Sequence, residues 1–184
     1  MPKRLLTLPN CLTLSRIAIM PLLGIFLVQE NRLAALTVLV VAAFTDFLDG
    51  YLARRNKEES KFGKLMDPVA DKIMLCVTLF FLVADPLRQL SPWLASLLVA
   101  REFLVTGLRA VASSMGVIIA AGQMGKLKTV LQFLGLGAVI YYENIGIVNL
   151  TDIGHMFLWT ATLLSYWSMW TYVKNAYRAL AHEL

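Results

Sequence analysis

Residues 46–71 read DFLDGYLARRNKEESKFGKLMDPVAD, a charged segment set between two apolar runs. Asp46 and Asp49 are three residues apart, whereas Asp67 and Asp71 are four apart. Residues at these spacings share one face of an α-helix. The polar stretch between the two pairs is expected to reverse the chain. The segment therefore predicts two antiparallel helices that direct four carboxylates towards one point.

The chain around this segment is apolar and poor in charge. Of its 184 residues, 58% are hydrophobic and 16% are charged, whereas soluble domains carry roughly 25% charged residues. Six apolar segments stand out, at 12–28, 33–45, 69–84, 90–100, 129–142 and 153–173. Several reach the ~20 residues of a membrane span only if their charged continuations are also helical. We expect an all-α, single-domain (1–184) integral membrane bundle of six transmembrane helices, with a short N-terminal interfacial helix over 3–10.

The placement of charge predicts which side of the membrane the functional site faces. Charge within a span is costly unless it faces protein or water. If successive spans alternate in direction, the charged ends of the second to fifth segments meet on one side. Most of the 17 Lys and Arg residues lie in the loops and termini of that side, which the positive-inside rule assigns to the cytoplasm. We therefore expect a multi-pass protein of the cell inner (plasma) membrane, with a cytoplasm-facing polar cavity and both termini cytoplasmic.

The net charge of +5 comes from basic residues that cluster between apolar runs. In a soluble protein this charge would suggest nucleic acid, but here membrane lipid headgroups and phosphate substrates are the expected partners. A protein of another class, a cation transporter with an acidic site, would place its carboxylates near the middle of the bilayer. The charges of this chain lie at one end of the spans, which favours an enzyme.

The four aspartates predict a metal site. Carboxylates grouped in an apolar setting repel each other and stay ionised only with cations between them. Ligand sets made only of oxygen favour Mg²⁺ or Mn²⁺, and two such ions suit an in-line displacement at phosphorus. Simpler interpretations stay open: Asp67 could cap a helix that begins with Pro68, and the first pair could bind Arg54 or Lys72.

The spacing within the segment resembles the signature of the CDP-alcohol phosphotransferase family, D-x-x-D-G-x-x-A-R followed after eight residues by G-x-x-x-D-x-x-x-D. The residues that match are Asp46, Asp49, Gly50, Ala53, Arg54, Gly63, Asp67 and Asp71. The resemblance implies that the four aspartates bind two Mg²⁺ or Mn²⁺ ions. It also implies contacts with the CDP group of a lipid donor from Asn10, Thr13, Arg16, Asp49, Gly50, Ala53, Arg54 and Gly63. For the first three of these residues, a capping or anchoring role stays open.

Three further stretches, 100–103, 107–109 and 125–129, resemble the bacterial phosphatidylglycerophosphate synthases within that family. Those enzymes join CDP-diacylglycerol to sn-glycerol 3-phosphate and release CMP, and the resemblance also implies a homodimer. An acceptor that carries a phosphate suits the four cations expected near the cavity, Arg101, Arg109, Lys126 and Lys128. Alternatives stay open, since Arg101 could pair with Glu102 and the other three could be interfacial cations. The acceptor could also be inositol phosphate, serine or another alcohol.

The resulting hypothesis for the reaction gives Asp71 two roles. It would complete the metal site, and it would act as general base towards the acceptor hydroxyl. The acceptor oxygen would then attack the β-phosphorus of CDP-diacylglycerol. CMP would leave, with its charge held by metal and by Arg54.

Overall fold

A computed structural model gives the structure of the chain and describes residues 8–56, 61–114, 123–145 and 147–181. Within these ranges, only the backbone is described for residues 8–13, 46–47, 49–56, 61–68, 114, 123, 144–145, 148, 171–172 and 175–181. The helices are α1 Leu8–Val28, α2 Arg32–Asn56, α3 Lys61–Ala84, α4 Pro92–Ser114, α5 Gln123–Tyr141 and α6 Leu150–Ala181. A small antiparallel hairpin, β1 Asn144–Ile145 and β2 Val148–Asn149, joins α5 to α6.

The helical fold predicted from the sequence is confirmed. Each apolar segment lies mainly within one helix, and the charged continuations of the short segments are helical as well. On the two sides of the polar stretch that is expected to reverse the chain, α2 extends to Asn56 and α3 begins at Lys61. Residues 57–60 lie outside the described part, as do residues 3–7 of the expected interfacial helix. Among the described residues, no helix has both the length and the apolar character that crossing a membrane requires.

The chain divides into two compact units, and the first comprises Met1–Asp85. In this N-terminal unit, α1 packs against both α2 and α3. Gly24 of α1 allows a close approach, since a Cβ atom there would lie 2.6 Å from the ring of Phe81 on α3. At the start of α2, the Asn31 side chain accepts a hydrogen bond from the Ala34 amide at 3.2 Å. This bond caps an amide that has no partner within the helix.

The second unit, Pro86–Leu184, is built around α6, which packs against α4 and α5. The pairing of α5 with α6 depends on two glycines. A Cβ atom on Gly135 would lie 3.0 Å from the Gly154 carbonyl oxygen, and one on Gly154 would lie 2.9 Å from the Gly135 carbonyl oxygen. Side chains at these positions would therefore force the two backbones apart.

Arg88 joins the start of this C-terminal unit to the end of α5. Its side chain is fully buried, and Nη1 donates to the carbonyl oxygens of Val139 and Ile140. The guanidinium carbon lies 4.6 Å from the centre of the Tyr142 ring. Because the last carbonyls of a helix lack partners within it, a basic side chain stabilises them by hydrogen bonding. Arg88 lies between the apolar segments 69–84 and 90–100, and nothing in the sequence indicates its burial.

Candidate active site

Asp71 of α3 is paired with a buried arginine of α1. Arg16 Nη1 donates to Asp71 Oδ1 at 2.9 Å, and the side-chain exposures are 3% for Arg16 and 50% for Asp71. A hydrogen bond between opposite charges is stronger than a neutral one, and it favours the ionised carboxylate. The structure shows that Arg16 contacts Asp71, which the sequence predicted as the general base. The expected contact of Arg16 with a nucleotide stays a prediction.

The other three aspartates lie on helical backbone, Asp46 and Asp49 within α2 and Asp67 within α3. The prediction that each pair of aspartates shares one helix face required these positions to be helical. Their side chains lie outside the described part of the structure. The same holds for the predicted CDP contacts Asn10, Thr13, Gly50, Ala53, Arg54 and Gly63. Among the residues whose side chains are described, no group of three or more His, Cys, Asp or Glu could hold a metal ion.

In the C-terminal unit, a single carboxylate contacts two buried cations. Glu102 Oε1 accepts a hydrogen bond from Arg101 Nη1 at 2.8 Å, and Lys128 Nζ of α5 donates to the same oxygen. Arg101 Nε also donates to the carbonyl oxygen of Ser165 on α6, at 3.2 Å. We call Arg101, Glu102 and Lys128 the Glu102 cluster. Its contacts connect all three helices of the unit.

Burial makes these ion pairs important for the local structure. Arg101 is 3% exposed and Lys128 is 8% exposed, so neither charge is well solvated. Removing one member of a buried pair leaves an uncompensated charge, at a cost of about 3–5 kcal/mol. The Glu102 side chain is 22% exposed, so one edge of the cluster is accessible. The cluster carries two positive charges and one negative charge.

Three of the four predicted acceptor-binding cations are close together. The charges of Arg101 and Arg109 both act on the Lys128 ammonium group, and Arg109 is exposed on α4. Lys126 is also exposed, but it precedes Lys128 by two residues on α5. Residues two apart on a helix point to different faces, so Lys126 is the member that lies apart.

The sequence analysis did not propose Glu102 as a site residue. It considered this residue only as an alternative partner of Arg101, and the observed pair agrees with that alternative. Glu102 could have been identified because it is an acidic residue within a largely apolar helix, where an unpaired charge is costly. Its second partner, Lys128, lies 26 residues away and could be found only from the packing of the helices.

Comparison with known proteins identifies the family. Residues 6–167 match the family model described as CDP-alcohol phosphatidyltransferase. The chain belongs to this family. The resemblance drawn from the aspartate signature is therefore confirmed, and so is the interpretation of the chain as an enzyme of the CDP-alcohol phosphatidyltransferase class.

Two similar members of the family share the name CDP-diacylglycerol–glycerol-3-phosphate 3-phosphatidyltransferase. The one from Rickettsia typhi is 38% identical over 172 residues, which are 91% of this chain and 95% of the relative. The one from Bacillus subtilis is 31% identical, over 94% of this chain and 96% of the relative. A third relative, the cardiolipin synthase (CMP-forming) of Oryza sativa, is 32% identical over 97% of this chain and 60% of the relative.

Proposed function

We propose that this chain transfers the phosphatidyl group of CDP-diacylglycerol to sn-glycerol 3-phosphate and releases CMP. The observation that carries the proposal is the match with the Rickettsia typhi and Bacillus subtilis enzymes named for this reaction, which extends over more than 90% of the chain. The grouped cations Arg101, Arg109 and Lys128 support a phosphate-bearing acceptor, because arginine and lysine are the usual protein partners of phosphate.

The donor side of the proposal concerns the aspartates. Asp46, Asp49, Asp67 and Asp71 provide only carboxylate oxygens, a ligand set that suits Mg²⁺ or Mn²⁺. The half-exposed Asp71 carboxylate, which is paired with Arg16, fits such a role. When bound, two such ions would neutralise the diphosphate of the donor. The CDP group would contact the residues that the family resemblance implies, Asn10, Thr13, Arg16, Asp49, Gly50, Ala53, Arg54 and Gly63.

The proposed chemistry assigns one proton transfer to this chain. The Asp71 carboxylate takes the proton of the acceptor hydroxyl, and Arg16 keeps that carboxylate ionised and fixed in place. The acceptor oxygen forms a bond to the β-phosphorus of the donor. The bond from that phosphorus to the bridging oxygen breaks, and CMP leaves with the electron pair, close to Arg54. The acceptor phosphate is bound mainly by Arg101, Arg109 and Lys128, with a smaller contribution from Lys126 on another face of α5.

The proposal also includes membrane embedding, with six spans, a single domain, and both termini and a polar cavity on the cytoplasmic side of the plasma membrane. Large apolar side chains that are at least two-thirds exposed support it, among them Phe80, Trp93, Leu163, Trp167 and Trp170. Soluble monomers rarely expose such extended apolar surface. The tails of CDP-diacylglycerol would then stay in the lipid. A homodimer is a further part of the proposal and rests on the family resemblance.

An acceptor panel tests the function. The purified chain is supplied with CDP-diacylglycerol, Mg²⁺ or Mn²⁺, and one acceptor at a time: glycerol 3-phosphate, inositol phosphate, serine or phosphatidylglycerol. CMP release is expected with glycerol 3-phosphate above all others, and it should stop when EDTA removes the metal. Preference for phosphatidylglycerol would instead support the activity named for the Oryza sativa relative. Release without added metal would contradict the proposed metal site.

A further inference from the structure

The proposed reaction assigns no role to Glu102, although this residue contacts two of the cations proposed to bind the acceptor phosphate. Its Oε1 atom is the common acceptor for Arg101 Nη1 and Lys128 Nζ, which come from two different helices. Arg101 is also fixed from the opposite direction, because its Nε donates to the Ser165 carbonyl oxygen of α6. The two buried cations are therefore held at a defined separation by one carboxylate.

The charge of the cluster suits an anion that binds beside it. Two cations share one carboxylate, which leaves a net charge of +1, and Arg109 adds a further positive charge nearby. Without Glu102, Arg101 and Lys128 would repel each other in a setting that solvates them poorly. The carboxylate thus allows two cations to remain together at a place where water cannot separate their charges.

We propose that Glu102 is a positioning residue that holds Arg101 and Lys128 in the geometry required to bind the phosphate of the acceptor. This inference rests on the proposed function, since it takes a phosphate monoester as the acceptor. Glu102 does not contact the reacting atoms, and it acts only through the two cations. The alternative role is that of a simple counter-ion, which would compete with the acceptor phosphate for the same two side chains.

The two roles predict opposite effects for Glu102→Gln. The amide keeps the size of the side chain but loses the charge, so the positioned cations should move. A misplacement on the order of 1 Å can reduce rates by about 100-fold. We expect the KM for glycerol 3-phosphate to rise by about tenfold or more, while the KM for CDP-diacylglycerol stays within about twofold. An unchanged or lower acceptor KM would overturn the proposal in favour of the counter-ion role.

Glu102→Asp provides a conservative variant. It retains the charge on a side chain shorter by one methylene group, so its acceptor KM should lie between those of the native chain and Glu102→Gln. Thermal unfolding of each variant shows whether it is folded. If Glu102→Gln does not fold, Glu102→Asp alone decides: a raised acceptor KM with an unchanged donor KM supports positioning, and an unchanged acceptor KM overturns it.

Asp152→Asn is the matched control. It removes the same charge from the first turn of α6, at an exposed position that precedes Ser165 by 13 residues, or about 20 Å along the helix. Both KM values should stay within about twofold of the native values. A rise in acceptor KM as large as that of Glu102→Gln would show a general charge effect and overturn the proposal.

A double variant tests whether Glu102 acts through its partners. In a Lys128→Met background, Glu102→Gln should raise the acceptor KM by a smaller factor than in the native background, because one partner is already absent. Equal factors in both backgrounds would overturn the proposal. If the native chain released no CMP with glycerol 3-phosphate, the proposed function would be wrong. If the native chain were active and Glu102→Gln had the native acceptor KM, only this inference would be wrong.

Discussion

The two units of the chain use ion pairs in opposite ways. In the N-terminal unit, one buried arginine, Arg16, holds one half-exposed carboxylate, Asp71. In the C-terminal unit, one carboxylate, Glu102, holds two buried cations. The first arrangement presents a negative group, which suits metal binding and proton transfer. The second keeps positive charge, which suits a phosphate. If the proposed function is correct, the N-terminal unit supports the donor chemistry and the C-terminal unit supports the recognition of the acceptor.

The largest expected effect is that of Asp71→Asn. The amide keeps the shape of the side chain and can still accept a hydrogen bond from Arg16, but it cannot take up the acceptor proton. General-base catalysis contributes about 10²- to 10⁴-fold, so CMP release should fall by a factor in that range. Glu30→Gln, which removes a charge from an exposed turn after α1, is the control. If the activity of Asp71→Asn stayed within about threefold of the native level, Asp71 would not be the general base.

Arg16 variants test whether the buried arginine of the N-terminal unit acts by orienting Asp71. If Arg16 orients Asp71, Arg16→Met should lower kcat by about 10- to 100-fold, a range typical for groups that orient a reactive residue. If Arg16 acts only through Asp71 and makes no contact with the CDP group, the donor KM should change little, and Arg16→Lys should recover part of the activity. Steady-state kinetics with varied CDP-diacylglycerol measure both quantities. A raised donor KM with native kcat would instead favour the nucleotide contact expected from the sequence.

Arg109 and Lys126 test which exposed cations of the C-terminal unit bind the acceptor. Hydrogen bonds to charged groups contribute about 1.5–3 kcal/mol, so Arg109→Ala should raise the acceptor KM by about 10- to 100-fold without affecting the donor KM. Lys126→Ala should have a smaller effect, about threefold or less, because Lys126 lies on another face of α5. The reverse order of the two effects would contradict the placement of the acceptor phosphate near Lys128.

Most of the fold could be predicted because its signals are local. Each helix was predicted from an apolar run. The run at 33–45 is shorter than the ~20 residues of a span, and this shortness predicted that α2 continues through Asp46 and Asp49. The hairpin between α5 and α6 was missed, since strands of two residues have no recognisable periodicity. The end of α5 was placed within one residue, although its stabilisation by Arg88 depends on packing and could not be foreseen.

The site was predicted less completely, because its partners are distant in sequence. The signature identified Asp71, but its contact with Arg16 joins residues 55 positions apart and depends on the packing of α1 against α3. Arg101, Arg109 and Lys128 were predicted together from the charged ends of the apolar segments, and the structure shows electrostatic interactions of Arg101 and Arg109 with Lys128. Glu102 was not predicted, because a search for cations that could bind a phosphate gives no reason to look for a carboxylate.

The smallest expected effect concerns the scaffold that supports the Glu102 cluster. Gly135→Ala would place a methyl group 3.0 Å from the Gly154 carbonyl oxygen and 2.8 Å from Leu158 Cγ. Overpacking of this kind costs about 1–3 kcal/mol, so the thermal unfolding midpoint should fall. Gly125→Ala on the same helix is the matched control, because a Cβ atom there would meet no described atom within 4 Å. The gain in helix propensity, about 1 kcal/mol, is common to both changes.

Discrimination between glycerol 3-phosphate and glycerol measures the central claim most directly, because the two acceptors share the reacting hydroxyl and differ in the phosphate. With CDP-diacylglycerol and metal at fixed concentrations, kcat/KM for CMP release should be at least about 100-fold higher with glycerol 3-phosphate, since several charged contacts depend on that phosphate. Equal values for the two acceptors would contradict the assignment of the cations in the C-terminal unit to acceptor recognition.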